Sequence, residues 1–238
     1  MITSVSYRSY LCSHAFILFF VLAIFFSGFS STAWASSDER QLIEKAQLVL
    51  DSFMADPDLT WFQENVKDAK ALLIVPQLLK AAFFIGGSGG SGVLIVKDEE
   101  SGDWGQPAFY IVGSVSFGLQ FGGQASEVVI MGRTKGGIEK LYTSSFKLGG
   151  DASVAAGPYG GGIEGATSAN LNADFLSFSR AKGIFAGISL EGAIIKTDND
   201  ANSAYYNKDV DAVDILVRKT VSNTHADSLR AAVAQAVQ

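Results

Sequence analysis

The chain has 238 residues, 48% hydrophobic and 18% charged, with 25 Gly, 4 Pro and a formal net charge of −6. This composition excludes a disordered chain, and the length suffices for one domain with a sizeable core. Acidity without a Lys/Arg block argues against nucleic acid as a partner and against a general attraction to anionic membranes, so any contact with lipid has to be local.

Arg8 is the one charged residue before an apolar run, Ala15 to Phe26, and small residues then lead to Ala33-Trp34-Ala35. The run has signal-peptide length and is too short for a dedicated membrane span. The pattern predicts a leader over 1–35, cut between Ala35 and Ser36, and a single domain over 36–238. Removing Arg8 takes the charge from −6 to −7. Cys12, the only cysteine, and His14 leave with the leader. The expected mature chain then has no disulfide, no Cys-based metal site and no thiol nucleophile, and His225 is its one histidine. Its expected place is exported, periplasmic or secreted, and peripheral to a membrane.

Ser36-Ser-Asp-Glu39 reads as a capping box. Leu42, Ala46, Val49, Leu50 and Phe53 form one stripe at helical spacing, which predicts a helix over about 38–53 that ends at Asp56-Pro57. Thr60–Gln63 reads as a second capping box. Ala71–Val75 reads as a buried strand stopped by Pro76, and Gln77–Ile85 as a further helical turn or two. From Gly86 onward short β-type runs are separated by Gly or polar turns. They are Val93–Lys97, Ala108–Gly118, Val128–Gly132, Phe146–Ala155, Asp174–Arg180 and Ile184–Lys196. Residues 98–103 form the expected hairpin connection between the first two. Asn199–Asn207 reads as a loop, and the chain closes on a helix from about His225. The expected class is α+β: a Gly-rich, mostly antiparallel curved sheet or barrel-like β-domain, with N-terminal helices and a C-terminal helix.

Little in this chain looks catalytic. Gly87, Gly89 and Gly92 match a G-x-G-x-x-G spacing, but a β-branched run, Val93–Val96, follows where a nucleotide-binding motif needs a helix. The segment reads instead as a turn rich in left-handed backbone. There is no G-x-S-x-G elbow, and His225 reads as an exposed residue near a helix start. Asp198-Asn199-Asp200 groups hard oxygen ligands but lacks the rest of a calcium loop. No cofactor or metal is expected. Trp104, Phe109, Tyr110, Phe117, Phe121, Tyr159, Phe185, Tyr205 and Tyr206 alternate with Gly. They are expected to fill the core, with some lining an apolar cleft for an acyl chain.

Five ordered blocks carry a resemblance. They are Leu79–Leu94 with its glycines, Gly102-Asp-Trp-Gly-Gln-Pro-Ala108, Gly118-Leu-Gln-Phe-Gly-Gly123, Leu148–Pro158, and Ser177–Gly192 followed by Asn202 and Tyr205-Tyr206. Together, over about 40–207, they resemble the SYLF domain family. The resemblance implies the fold and a lipid-associated role. Eukaryotic members bind phosphoinositide membranes, largely through a basic N-terminal helix, and fungal members bind actin filaments. Here the corresponding helix sets Arg40 and Lys45 against Asp38, Glu39, Glu44 and Asp51. An exported protein would not meet cytosolic actin in its own cell.

The expectation is therefore a non-catalytic lipid binder of the cell envelope, for phospholipid or a phosphoinositide-like anionic lipid. The alternative is an envelope scaffold acting through protein contacts, and a carboxylate-only hydrolase is the third reading. Arg180 and Lys182, inside a family block, are the favoured lipid cations, with Lys80, Arg133, Lys135 and Lys140 beside them.

Overall fold

The computed structural model describes residues 32–82, 85–117, 122–157, 172–181 and 190–238. Helix α1 spans Thr32–Met54. Of the expected stripe, Ala46, Val49, Leu50 and Phe53 are buried and Leu42 is half-buried, and the buried Ile43, which the stripe left out, completes the core face. Ser36 lies inside this helix and does not cap it, and the expected cut falls within its first turns. A 3₁₀ turn, Pro57–Leu59, is capped by Asp56, and helix α2, Thr60–Asn65, follows. Leu59 rather than Thr60 is the N-cap of α2, with no side-chain capping bond. Gln63 instead reaches back, its Nε2 donating to the carbonyls of Phe53 at 3.0 Å and Asp56 at 2.6 Å. The expected second capping box thus serves to close the end of α1.

Strand β1 runs Ala71–Ala82 and β2 runs Ile85–Val96. Pro76 does not stop β1, and Gln77–Ala82 is strand rather than helix. The register slips between Val75 and Leu78, and such a bulge is where a strand tolerates proline. Gly86–Gly92 is equally strand and not a turn; its glycines are absent from the left-handed set Gly102, Gly149 and Gly192. The bulge supplies the reason for two of them. A Cβ on Gly90 would sit 2.4 Å from the Gln77 carbonyl oxygen, and one on Gly92 2.9 Å from the Val75 side chain.

Strands β3 (Ala108–Phe117) and β4 (Gly122–Gly132) flank that hairpin. Helix α3, Lys135–Leu141, is unanticipated; Thr134 caps it by accepting from Gly137 N–H at 3.0 Å. The expected strand 146–155 is two short ones, β5 (Ser145–Lys147) and β6 (Val154–Ala156), with Gly149 at φ +79° turning between them. β7 is Phe175–Ala181 and β8 is Ile194–Thr197. Residues 199–207 are not a loop: Asp198 caps helix α4, Asn199–Tyr206, and Asn207 ends it at φ +50°. Helices α5, Ala212–Leu216, and α6, Asp227–Ala236, complete the chain. Lys182, Phe121, Tyr159 and Phe185 lie outside the described residues, as do residues 1–31 of the expected leader and the first part of the run 184–196.

The eight strands form one sheet in the order β5-β8-β3-β2-β1-β4-β7-β6, antiparallel except for β6 against β7. It curls. The edge strands β5 and β6 are joined through a Leu148–Ala152 bridge, and Phe146 of β5 stacks on Phe175 of β7 with centroids 5.9 Å apart. Both faces carry apolar side chains. On the outer face α1, α2 and α6 pack over Leu72, Ile74, Val93, Phe109, Met131 and Leu176. The inner face gathers Leu73, Val75, Tyr110, Ile130, Phe146 and Ile195 beneath α3 and α5. The result is an α+β half-barrel of mostly antiparallel strands with helices at both ends of the described chain.

Candidate functional site

Of the six nominated cations, the five among the described residues do not converge on one site. Arg180 of β7 lies opposite Glu127 of β4. Its Nε donates to Glu127 at 2.9 Å, Nη1 to Asp56 at 3.2 Å and Nη2 to Ser52, while its Cζ stands 5.3 Å from the centre of the Phe53 ring. The guanidinium therefore ties the end of α1 to the sheet. Lys80 is half-buried, opposite Ser88 and Gln124. Arg133 lines a small recess with Asp68 and Thr134. Lys140 is exposed in the last turn of α3, and Lys135 at its start pairs with Glu99 at 3.3 Å.

His225 also differs from expectation. It is half-buried, with Nδ1 3.4 Å from the Tyr205 hydroxyl and Nε2 3.3 Å from Glu44. Asp198 accepts from Ala201 N–H as a cap, which accounts for an acid at that position. Among the described residues no group of three or more His, Cys, Asp or Glu is arranged to hold a metal ion. Of the aromatics, Trp104, Phe109, Tyr110 and Tyr205 are buried. Burial raises the pKa of Tyr110, and its hydroxyl donates to the Leu141 carbonyl.

Two features do stand out. The first is a part of the outer face that the described helices leave uncovered. Register places Leu79 of β1, Gly89 of β2, Gly113 of β3, Ile194 of β8 and Lys147 of β5 in one row across five strands. Ser91, Ile111, Lys196 and Ser145 form the adjacent row. Leu79 is 54% exposed, Ile194 51% and Ile111 42%. Leu79 and Ile194 thus wall a shallow trough whose floor is the backbone at Gly89 and Gly113. A Cβ on Gly89 would meet nothing within 4 Å among the described residues, and one on Gly113 only the Ser88 carbonyl oxygen at 3.6 Å. Unlike Gly90 and Gly92, these two glycines are not required by packing among the described residues.

The second is a cleft of about 970 Å³ at the other end of the strands, where β1 begins and β2 ends. Val96, Ile138, Ile215 and Val217 contribute its apolar surface, and Lys67, Lys70, Lys97, Lys135 and Lys219 its cations. Lys219, held at φ +54°, donates to Asp98. That hydrogen bond, with further ones from the Ser101 turn, keeps the Asp98 carboxyl far below the usual carboxylate range. Of the cleft residues the sequence reading nominated only Lys135. Lys70 and Lys97 were findable: had β1 been carried through Pro76, the hairpin would have set them opposite each other.

The family described as Ysc84, Las17-binding protein actin regulator, matches residues 113–236. An SH3 domain-containing protein of Schizosaccharomyces pombe is 32% identical over 194 residues, 78% of this chain and 45% of its own length. The human SH3 domain-containing YSC84-like protein 1 is 30% identical over 165 residues, 69% of this chain and 48% of its own. LAS seventeen-binding protein 3 of Saccharomyces cerevisiae is 32% identical over 182 residues, 73% of this chain and 39% of its own. The chain spans less than half the length of these relatives. With the five ordered sequence blocks, the curled α+β sheet and these matches together, the chain belongs to the Ysc84 family of SYLF-domain proteins.

Proposed function

We propose that the protein is a non-catalytic lipid binder that lays an acyl chain along the trough and sets the anionic headgroup against Lys147 and Lys196. The observation that carries this reading is the pair of glycines above which the described residues leave room for an added group. Glycine weakens a strand interior, and at Gly89 and Gly113 nothing described in the protein requires it. A ligand approaching the backbone between Leu79 and Ile194 supplies the reason. Lys147 and Lys196 are exposed and flank Ile194 in a protein that is otherwise acidic, so attraction to an anionic group is local. The reading includes export, with the leader removed before Ser36, and a place at a membrane of the envelope. Relatives named as binding and regulatory proteins agree with a role without catalysis.

The test is to fill the trough. Gly89→Val with Gly113→Val adds side chains to an exposed sheet surface, where β-branched residues favour the strand. The double variant is expected to melt no lower than the wild type and to lose most binding to vesicles of phosphatidylglycerol in co-sedimentation. Undiminished binding by the folded variant defeats the trough. Arg180 and Lys182 stand as a second proposed headgroup contact. Replacing both by Ala is expected to reduce anionic-lipid binding, and a melt of the same variant separates lost contact from loss of the Arg180 tie.

The relatives' names, which speak of a protein partner and of actin regulation, favour one rival: an envelope scaffold using the same open face for protein contact. If organic extracts of the purified protein carry no lipid and the wild type pellets with no vesicle, that reading takes over.

A further inference from the structure

We infer that the lysine cleft at the start of β1 is a second binding site, for a small zwitterion carrying a phosphate at one end and a protonated amine at the other. The site goes beyond the trough, and stands about nine strand residues from Leu79, roughly 30 Å at strand rise.

The first observation is an unanswered like-charge pair. Lys97 N–H donates to the Lys70 carbonyl at 2.8 Å, which continues the β1–β2 register one step past Ala71 and Val96. Lys70 and Lys97 therefore stand directly opposite each other. Two like charges in that relation destabilise a strand pair, and no acid side chain is within pairing distance of either among the described residues. Lys67, one turn upstream, adds a third ammonium to the same rim. Lysine binds phosphate as a point charge, and a phosphate here relieves the repulsion.

The second observation is that acids line the same cleft. Asp98 is taken by Lys219 and the turn N–H groups, and Glu99 by Lys135. Glu100 lies beside Lys219, and Glu139 close enough to Tyr142 to help raise its pKa, after the larger effect of burial. These acids belong to the 98–103 turn, which follows Lys97 directly, and to α3, and Asp68 adds a carboxylate between Lys67 and Lys70. A simple anion would meet carboxylates as well as lysines in this cleft. A phosphate ester with an amine finds a complement for each of its ends, and the apolar surface of Ile138 and Val217 in the same cleft suits a short methylene spacer. Ethanolamine phosphate, free or as a lipid headgroup, has this pattern.

The experiment is a titration of the full chain with phosphoethanolamine, read by amide shifts in NMR and by calorimetry. Saturable shifts are expected at Lys70, Lys97 and the 98–103 turn. Glycerol phosphate, which lacks the amine, is expected to bind at least about 5-fold more weakly. Lys70→Ala with Lys97→Ala is expected to weaken phosphoethanolamine binding at least about 10-fold and, because it removes a repulsive pair, to melt no lower than the wild type. Vesicles of phosphatidylethanolamine that displace phosphoethanolamine assign the site to a lipid headgroup, and vesicles that do not assign it to the free ester. The inference is overturned if no saturable binding is seen, if glycerol phosphate binds as tightly, or if the folded double variant binds unchanged. The Gly89→Val, Gly113→Val protein keeps its cleft, so loss of the trough and loss of this site read out separately.

Discussion

Gly89 and Gly90 are adjacent on β2 and opposite in what they require. A methyl group on Gly90 meets the Gln77 carbonyl at 2.4 Å, on a backbone that the Pro76 bulge holds in place, whereas one on Gly89 meets nothing described. Gly90→Ala is expected to cost about 1–3 kcal/mol, the range for overpacking a fitted site, and Gly89→Ala to change stability by no more than about 0.5 kcal/mol. Urea unfolding of the two variants checks this, and equal losses would show that the bulge yields. Asp174 offers a residue-scale test in pH. Burial pushes its pKa up, but hydrogen bonds from Thr134 and from the Ser153 hydroxyl and N–H together outweigh that and hold it below the ordinary value of 3.8. A depressed folded pKa contributes stability that is present above the unfolded value and is lost as pH falls through the folded one. Asp174→Ala is therefore expected to lower the melting temperature near pH 6. The gap to the wild type should narrow steadily below pH 4. A gap that stays constant down to pH 2 would place the effect in packing rather than in the carboxylate.

Helix α4 repays attention at the scale of elements, because a polar composition concealed it. Asn202 is fully buried, and its Oδ1 accepts the Phe109 N–H at 2.8 Å, binding the helix to β3. Asn202→Ala leaves that N–H unpaired in the core. It is expected to cost about 1–3 kcal/mol and to speed amide exchange at Phe109; slow exchange in the variant would mean another acceptor takes over. The helix was legible in one respect, since Asp198 and Asn207 are good cap residues at its two ends. It was missed because its inward side chains are an amide and a phenol, which carry no apolar stripe. The β1–β2 hairpin was missed for another reason. Pro76 and the five glycines from Gly86 to Gly92 contradict strand propensity, and only the fit of the bulge against Gly90 and Gly92 explains why strand wins. α1, α6, β3 and β7 were readable because apolar spacing and β-branched or aromatic runs agreed with their burial. The site was less readable still. A row such as Leu79, Gly89, Gly113, Ile194 and Lys147 exists only once register is known, and Arg180 carries the same sequence signal whether it faces solvent or Glu127.

Across the whole molecule, charge and apolar surface pull in different directions. A net charge of −6 repels an anionic bilayer at long range, while Lys147 and Lys196 attract it at contact and Leu79, Ile111 and Ile194 offer surface whose burial is indifferent to salt. Screening length falls from about 10 Å at 0.1 M salt to about 3 Å at 1 M. Added salt therefore weakens the distant repulsion and the local attraction together and leaves the apolar contribution in place. Binding to phosphatidylglycerol vesicles is expected to change by less than about 10-fold over that range, and Ile111→Ser with Ile194→Ser to weaken it at every salt concentration. A purely electrostatic patch would behave otherwise, losing nearly all binding at 1 M. Co-sedimentation of wild type and variant at 0.1, 0.3 and 1 M separates the two. A loss of more than about 100-fold in the wild type, with the serine variant unaffected, would move the site from the trough to cations elsewhere on the surface.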